Sequence, residues 1–224
     1  MLYVKRFAIL ALVMATTVFM TVQKKTRIVF FGDSITQAGV QPGGYITMMN
    51  DMLKAKNLTD KYELIGAGIG GNKIYDLYLR ADDDVLAKNP DVVVIWVGVN
   101  DVWHKASSGT GTDADKFEKF YTALIKKLQA KNIQVVLTTP AAIGERTDFT
   151  NQQDGDLNFY AGIIRRLAQQ NGCKLVDLRK AFLEYNLKNN AQNAEKGILT
   201  TDRVHLNEKG NTLVAEQMMQ TLIR

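Results

Sequence analysis

Cysteine is nearly absent from this chain, and histidine and proline are scarce: one, two and three residues respectively among 224. The lone Cys173 excludes an intramolecular disulfide and has no companion at metal-ligand spacing, so it reads as a small buried residue. With only His104 and His205 present, any chemistry that needs an imidazole has two residues to choose from. There is no low-complexity tract and no repeat of solenoid period, which excludes a disordered segment or a repeat array. Positive charge exceeds negative by only 5. The lysines (Lys54, Lys56, Lys61, Lys126, Lys127, Lys188) are scattered as on solvated helix faces, and no basic stripe interleaves with aromatics, so a nucleic-acid partner is not expected. What is plentiful is apolar content, 46% of the chain, enough for one compact domain with a sizeable core.

The first 23 residues stand apart. Lys5-Arg6 precedes an apolar stretch from Phe7 to about Val22, interrupted only by Thr16, Thr17 and Thr21, which reads as an export signal. The stretch is shorter than the ~20 residues of a comfortable membrane span, favouring a cleavable signal. No A-x-A-like cleavage site is present, so an uncleaved membrane anchor is the alternative. No cysteine follows it, which excludes a lipoprotein anchor. A periplasmic or secreted location, with possible membrane attachment through this segment, is the expectation, and residues 24–224 are left for the fold.

From Arg27 onward, short β-rich runs alternate with longer amphipathic stretches. The pattern predicts strands over Arg27–Phe31, Tyr62–Ile65, Val92–Val97, Gln134–Thr138 and Lys174–Val176. It predicts helices over Tyr45–Ala55, Ile74–Ala87, Asp115–Ala130, Gly155–Gln170, Arg179–Leu187 and Glu208–Ile223. The run from Val92 to Val97 is continuously apolar, as a parallel strand covered on both faces must be. Phe117, Phe120, Tyr121, Leu124, Ile125 and Leu128 recur at helical spacing and define a core-facing stripe. The alternation argues for an α/β three-layer sandwich around a parallel sheet, whose ligands bind beyond the carboxyl ends of the strands.

Polar motifs fall at those ends. Gly32-Asp33-Ser34-Ile35-Thr36 follows the first strand, Gly70-Gly71-Asn72 the second and Gly98-Val99-Asn100-Asp101 the third, while Asp202-Arg203-Val204-His205 precedes the last helix. A serine hydroxyl becomes a nucleophile when a base takes its proton, and the base works best when a carboxylate fixes its tautomer. Ser34, His205 and Asp202 can fill those roles, and His205 is preferred to His104 because only it has an acid at D-x-x-H spacing. Acyl transfer also needs donors for the developing oxyanion, and the Ser34 N–H, the Gly71 N–H and the Asn100 amide can supply them. Each residue also has a plainer reading: helix cap for Asp33-Ser34, tight turn for Gly71, turn-capping amide for Asn100, satisfied loop histidine for His205. Their conjunction carries the weight.

One motif competes. Gly66-Ala67-Gly68-Ile69-Gly70-Gly71 matches G-x-G-x-x-G, and Asp91 follows at a distance that suits a dinucleotide fold. Asp91, however, follows Pro90 and starts a strand, which puts it at the opposite edge of the sheet from the glycines, so nucleotide binding is not expected.

Taken together, Gly-Asp-Ser-Ile-Thr around Ser34, Gly-Ile-Gly-Gly-Asn around Gly71, Gly-Val-Asn-Asp around Asn100 and the Asp202…His205 pair resemble the four sequence blocks of the SGNH hydrolase superfamily, the GDSL esterases and lipases. The resemblance runs in order from about Arg27 to the C-terminus. It implies a flavodoxin-like fold with a five-stranded parallel sheet and a metal-free, cofactor-free hydrolase. In it Ser34 is the nucleophile, His205 the base, Asp202 its orienter, and Gly71 and Asn100 complete the oxyanion hole. Gly66 stands where many relatives carry an asparagine. G-x-S-x-G, the α/β-hydrolase nucleophile elbow, is absent.

Specificity is less marked. Trp103 and His104 at the mouth of the site and Tyr45 above the Ser34 turn are the expected substrate-binding residues, with Gly109-Thr110-Gly111-Thr112 and Ile143-Gly144-Glu145-Arg146 as flexible rims. The chain leaves little room for a lid, which favours a short acyl group such as acetyl on a carbohydrate. A lysophospholipase or thioesterase, or a catalytically silent glycan-binding protein, is the alternative.

Overall fold

The run Thr26–Gly32 forms the first strand (β1), and its buried stretch Val29-Phe30-Phe31 makes it the spine of the domain in the computed structural model, which describes residues 24–223. The expected export segment, residues 1–23, lies outside the described residues. Among the described residues no helix is long and apolar enough to cross a membrane.

Strands β2 (Tyr62–Gly68), β3 (Val92–Trp96), β4 (Gln134–Thr138) and β5 (Lys174–Val176) join β1 in a five-stranded sheet of order β2-β1-β3-β4-β5. Every pairing is parallel, with Ile28 opposite Val92 and Gly32 opposite both Gly68 and Trp96. This is the flavodoxin-like order, and its switch point lies between β1 and β3. All five residues of β3 are buried, as the unbroken apolar run requires.

The helices are α1 (Ser34–Gly39), α2 (Tyr45–Ala55), α3 (Ile74–Asp84), α4 (Val99–Ser108), α5 (Ala114–Gln129), α6 (Asp154–Gln170), α7 (Leu178–Asn189) and α8 (Glu208–Leu222). Helix α2 packs on α8 on one side of the sheet, and α3 packs on α5 and α5 on α6 on the other. Phe117, Tyr121, Leu124, Ile125 and Leu128 of α5 are all buried, so the apolar stripe faces the core as its spacing demands.

Two helices fall outside the expected set. Helix α1 spans six residues, too few for a 3.6-residue period to register. Helix α4 has a first turn, Val99 to Val102, that is wholly buried and a last turn that is exposed, so no stripe runs along it. Helix α3 ends earlier than expected, at Asp84, and a 3-10 turn over Leu86–Lys88 closes on Asn89 in the left-handed region at φ 48°.

Asp91 accepts hydrogen bonds from Lys24 Nζ (2.9 Å) and the Arg27 N–H (2.8 Å) at the amino-terminal edge of the sheet. The glycine run ends β2 at the other edge, so the dinucleotide-like motif is split across the sheet.

Candidate active site

Ser34 opens α1 immediately beyond β1, and the sharp exit is held by Asp33, whose Oδ1 accepts the Ile35 N–H at 3.0 Å as an N-cap. This leaves Ser34 half-buried with its Oγ 2.9 Å from Nε2 of His205, a residue 171 positions away in the chain. The other ring nitrogen of His205, Nδ1, is 2.7 Å from Asp202 Oδ2.

The Asp202–His205 turn is built by its own carboxylate. Asp202 Oδ1 accepts the backbone N–H of Val204 (3.1 Å) and of His205 (2.8 Å), which fixes the carboxylate and leaves Oδ2 for the imidazole. Arg203, between them, lies at φ 90°, a conformation that costs a side-chain-bearing residue of order 1–3 kcal/mol and is held by its surroundings. Burial alone would raise the Asp202 carboxyl, but the hydrogen bonds from the His205 ring and from the His205 and Val204 N–H groups outweigh it and hold the group below its ordinary value. An imidazole bonded to a carboxylate on one nitrogen and to a hydroxyl on the other is set up to draw the proton off that hydroxyl.

The loop after β2 approaches the serine from the side. A Cβ at Gly70 would lie 3.9 Å from Ser34 Cβ, and the next residue, Gly71, takes φ 76°, which suits glycine. Three side chains brace this loop. Gln37 Oε1 accepts the Gly70 N–H (2.9 Å), Lys73 Nζ donates to the Gly71 carbonyl (3.2 Å), and Arg80 donates to Asn72 Oδ1 (2.7 Å), the Gly32 carbonyl (2.7 Å) and the Ala67 carbonyl (3.0 Å). Asn100, buried in the first turn of α4, donates through Nδ2 to the Asn72 carbonyl (3.1 Å). An amide nitrogen carries two protons, and this bond uses one of them. The Gly70–Asn72 loop thus meets Ser34 at Gly70 and Asn100 at Asn72.

At Gly66, where an asparagine stands in many SGNH sequences, a Cβ would meet Val40 Cγ1 at 2.4 Å. Val40 occupies the space such a side chain would need, and Arg80 and Gln37 brace the loop.

Trp103 and His104 are partly exposed beside the site. The Trp103 ring stands edge-on to the His205 ring, with centroids 6.4 Å apart, and a Cβ on Gly71 would lie 3.9 Å from His104 Cε1. Burial, reinforced by the positive charge of Lys73, lowers the pKa of His104, so it is neutral at neutral pH.

Tyr45 is not above the Ser34 turn. It is fully buried, its ring packs edge-on against Phe30 and Trp96, and its hydroxyl donates to Thr36 Oγ1 at 3.1 Å. With that hydroxyl satisfied, the whole ring can sit in the core beneath α1, where substrate does not reach. Ile143-Gly144-Glu145 is likewise no flexible rim, since all three residues are buried.

Two further carboxyls sit against the site. Burial pushes Asp33 up to about 7, with the nearby Asp101 adding to the rise and the Ile35 N–H and His205 opposing it. Burial also raises Asp101, to about 6. Asp101 Oδ1 accepts the Ile74 N–H at 3.2 Å, which ties α4 to the start of α3.

A parallel sheet of order 2-1-3-4-5, with a serine, histidine and aspartate joined in sequence beyond its carboxyl edge and a glycine and an asparagine beside them, defines the SGNH class of carboxylic ester hydrolases. The model of the GDSL-like lipase/acylhydrolase family matches residues 30–213, and the chain belongs to that family. It is 70% identical to an acetyl xylan esterase, AlAXEase, whose crystal structure superposes at a TM-score of 0.87, covering 88% of this chain and all of that one. An acetylxylan esterase of Geobacillus stearothermophilus is 26% identical over 214 residues, 88% of this chain and 93% of its own. A catalytic mutant of Axe2, an acetylxylan esterase from the same organism, is 25% identical with a TM-score of 0.78, covering 89% of this chain and 94% of that one.

Proposed function

We propose that this protein removes acetyl groups from a carbohydrate, through an acyl-enzyme on Ser34. The observation that carries the chemistry is the unbroken chain from Ser34 Oγ to His205 Nε2 (2.9 Å) and from His205 Nδ1 to Asp202 Oδ2 (2.7 Å). The 70% identity to AlAXEase, an acetyl xylan esterase, supports acetyl as the acyl group and a xylan-type glycan as its carrier. Further support for the acid–base pair comes from Axe2, whose catalytic mutants replace an aspartate and, three positions later, a histidine with alanine, the same separation as Asp202 and His205.

In the proposed reaction His205 Nε2 takes the Ser34 proton as Oγ attacks the acetyl carbonyl. The oxyanion is met by the Ser34 and Gly71 N–H groups and the second proton of the Asn100 amide. The tetrahedral intermediate collapses, the carbon–oxygen bond to the sugar breaks, and His205 returns the proton to the departing hydroxyl. Water, deprotonated by the same imidazole, then attacks the acetyl-serine; the bond from the acyl carbon to Oγ breaks, His205 returns the proton to Oγ, and acetate and free Ser34 are released. Asp202 stabilises the imidazolium in both halves. Trp103, edge-on to His205 and half-exposed, offers a face for a pyranose ring.

The test is acetate release from acetylated xylo-oligosaccharides set beside hydrolysis of p-nitrophenyl acetate and a long-chain p-nitrophenyl ester. The proposal expects the acetylated sugar and the acetate ester to be turned over and the long-chain ester to lag far behind. Preference for the long chain would turn the assignment toward a lipid esterase. We also propose export directed by Lys5-Arg6 and the apolar stretch after it, to be checked by fractionation of cells producing the full chain.

A further inference from the structure

Glu145 lies in the connection from β4 to α6 and is 1% exposed. Among the described residues its carboxylate hydrogen-bonds no basic side chain. Oε2 accepts the Ile198 N–H (2.8 Å), and Oε1 accepts those of Leu199 (2.6 Å) and Thr200 (2.6 Å). Three successive backbone donors converging on one buried carboxylate form an anion nest filled by the protein itself.

Those donors form one arm of a hairpin whose tip carries the base. Thr200 bridges Leu206, the Thr201 N–H donates to the His205 carbonyl (2.8 Å), and the Asn207 N–H donates to the Leu199 carbonyl (3.0 Å). Beside Glu145, the Gly144 N–H donates to the carbonyl of Arg203 (2.9 Å), inside the Asp202–His205 turn. The pair Gly144-Glu145 therefore holds both the arm and the tip. Glu145 is itself anchored: its N–H donates to the Glu195 carbonyl (3.0 Å), and its carbonyl accepts Asn190 Nδ2 (2.8 Å). Apart from the Thr200–Leu206 bridge, residues 191–206 belong to no helix or strand, so His205 is placed by contacts of this kind, together with the Arg203–Glu195 ion pair (2.8 Å) and the burial of Leu199 and Val204.

We propose that Glu145 is a positioning residue for the reaction, setting the place of His205 relative to Ser34 through the N–H groups of residues 198–200. This rests on His205 being the base. An amide in its place offers one acceptor oxygen where three N–H groups need two, and turns an NH2 group toward a donor. The hairpin then loses its register, and a displacement of about 1 Å at a reacting group costs on the order of 100-fold in rate.

The test compares the wild type with Glu145→Gln and Glu145→Asp, using p-nitrophenyl acetate for kcat and KM and proton NMR for the downfield imidazole proton shared by His205 and Asp202. Amide hydrogen exchange of Ile198, Leu199 and Thr200 in the wild type supplies a reading independent of how the variants fold. The expected result for Glu145→Gln is a kcat loss on the order of 100-fold, KM within about twofold, and a broadened or lost downfield resonance in folded protein. Glu145→Asp should recover part of both. Unchanged kcat with an intact resonance in Glu145→Gln, or wild-type amides at 198–200 exchanging as fast as an exposed loop, would overturn the proposal. A wild type that ignores acetylated sugars would unseat the substrate assignment alone, because neither the resonance nor the amide exchange depends on the glycan.

Discussion

Replacing Asp33 with asparagine should stabilise this protein at alkaline pH and leave it nearly unchanged in acid. Asp33 is 2% exposed and its Oδ1 serves only as the N-cap acceptor for Ile35, a role an asparagine oxygen fills equally well. Burial, with the nearby Asp101 adding to it, carries the carboxyl from 3.8 to about 7 in the folded protein. The folded state therefore holds a proton that the unfolded chain has released, and wild-type stability falls as pH rises through that window. Integrating the linkage, about 2 kcal/mol is lost by pH 5 and about 4 kcal/mol by pH 8 relative to a group that never ionises. Asp33→Asn does not ionise, so its advantage over wild type should grow from near zero at pH 4 to about 4 kcal/mol at pH 8. Other titrating groups, including Asp202 and Asp177 with their lowered values, contribute to both proteins and largely cancel in the difference. Urea unfolding of both proteins at pH 4, 5, 6, 7 and 8 measures it. A difference flat with pH, or a variant less stable than wild type at pH 8, would refute the reasoning that burial holds this carboxyl protonated.

Other substitutions probe the site. Asn100→Ala removes the side-chain oxyanion donor and should cost roughly 100- to 1,000-fold in kcat with little change in KM, read from steady-state kinetics on p-nitrophenyl acetate. Asp202→Asn keeps the shape of the turn but favours the wrong imidazole tautomer, so kcat should fall by roughly 10,000-fold; a loss under tenfold would argue that the 2.7 Å contact to His205 plays no part in turnover. Trp103→Ala should raise KM for an acetylated xylo-oligosaccharide several-fold and leave KM for p-nitrophenyl acetate nearly unchanged, and equal changes on both would remove the sugar-stacking role.

Much of this molecule could be read from its residues because the relevant signals are local. A strand buried on both faces is an unbroken apolar run, and Val92–Trp96 is one; a helix with one core face repeats its apolar residues every three or four positions, and α5 does. The D-x-x-H spacing is local too, and the turn that joins Asp202 to His205 closes as the spacing suggests. What stayed hidden depends on partners far along the chain. The place of Glu145 beyond the fourth strand suggests a flexible rim, whereas the N–H groups that allow its burial lie 53 to 55 positions away. Arg80 clamps the Gly32 and Ala67 carbonyls from within a helix, with no motif to announce it. Tyr45 looked like a substrate contact because it follows the Ser34 turn closely, but the Thr36 hydroxyl that satisfies its own lets the ring turn inward. The N-cap role of Asp33 was legible, whereas its proton affinity depends on how completely the fold closes over it.

The central claim is that Ser34 is a nucleophile activated by His205, and the most direct measurement is covalent labelling by an organophosphorus probe, located by mass spectrometry, in the wild type, Ser34→Ala and His205→Ala. The account predicts one adduct per chain, on Ser34, with loss of esterase activity in step with labelling. It also predicts no adduct in Ser34→Ala and labelling slowed by orders of magnitude in His205→Ala. An adduct on another residue, or esterase activity that survives complete labelling of Ser34, would contradict it.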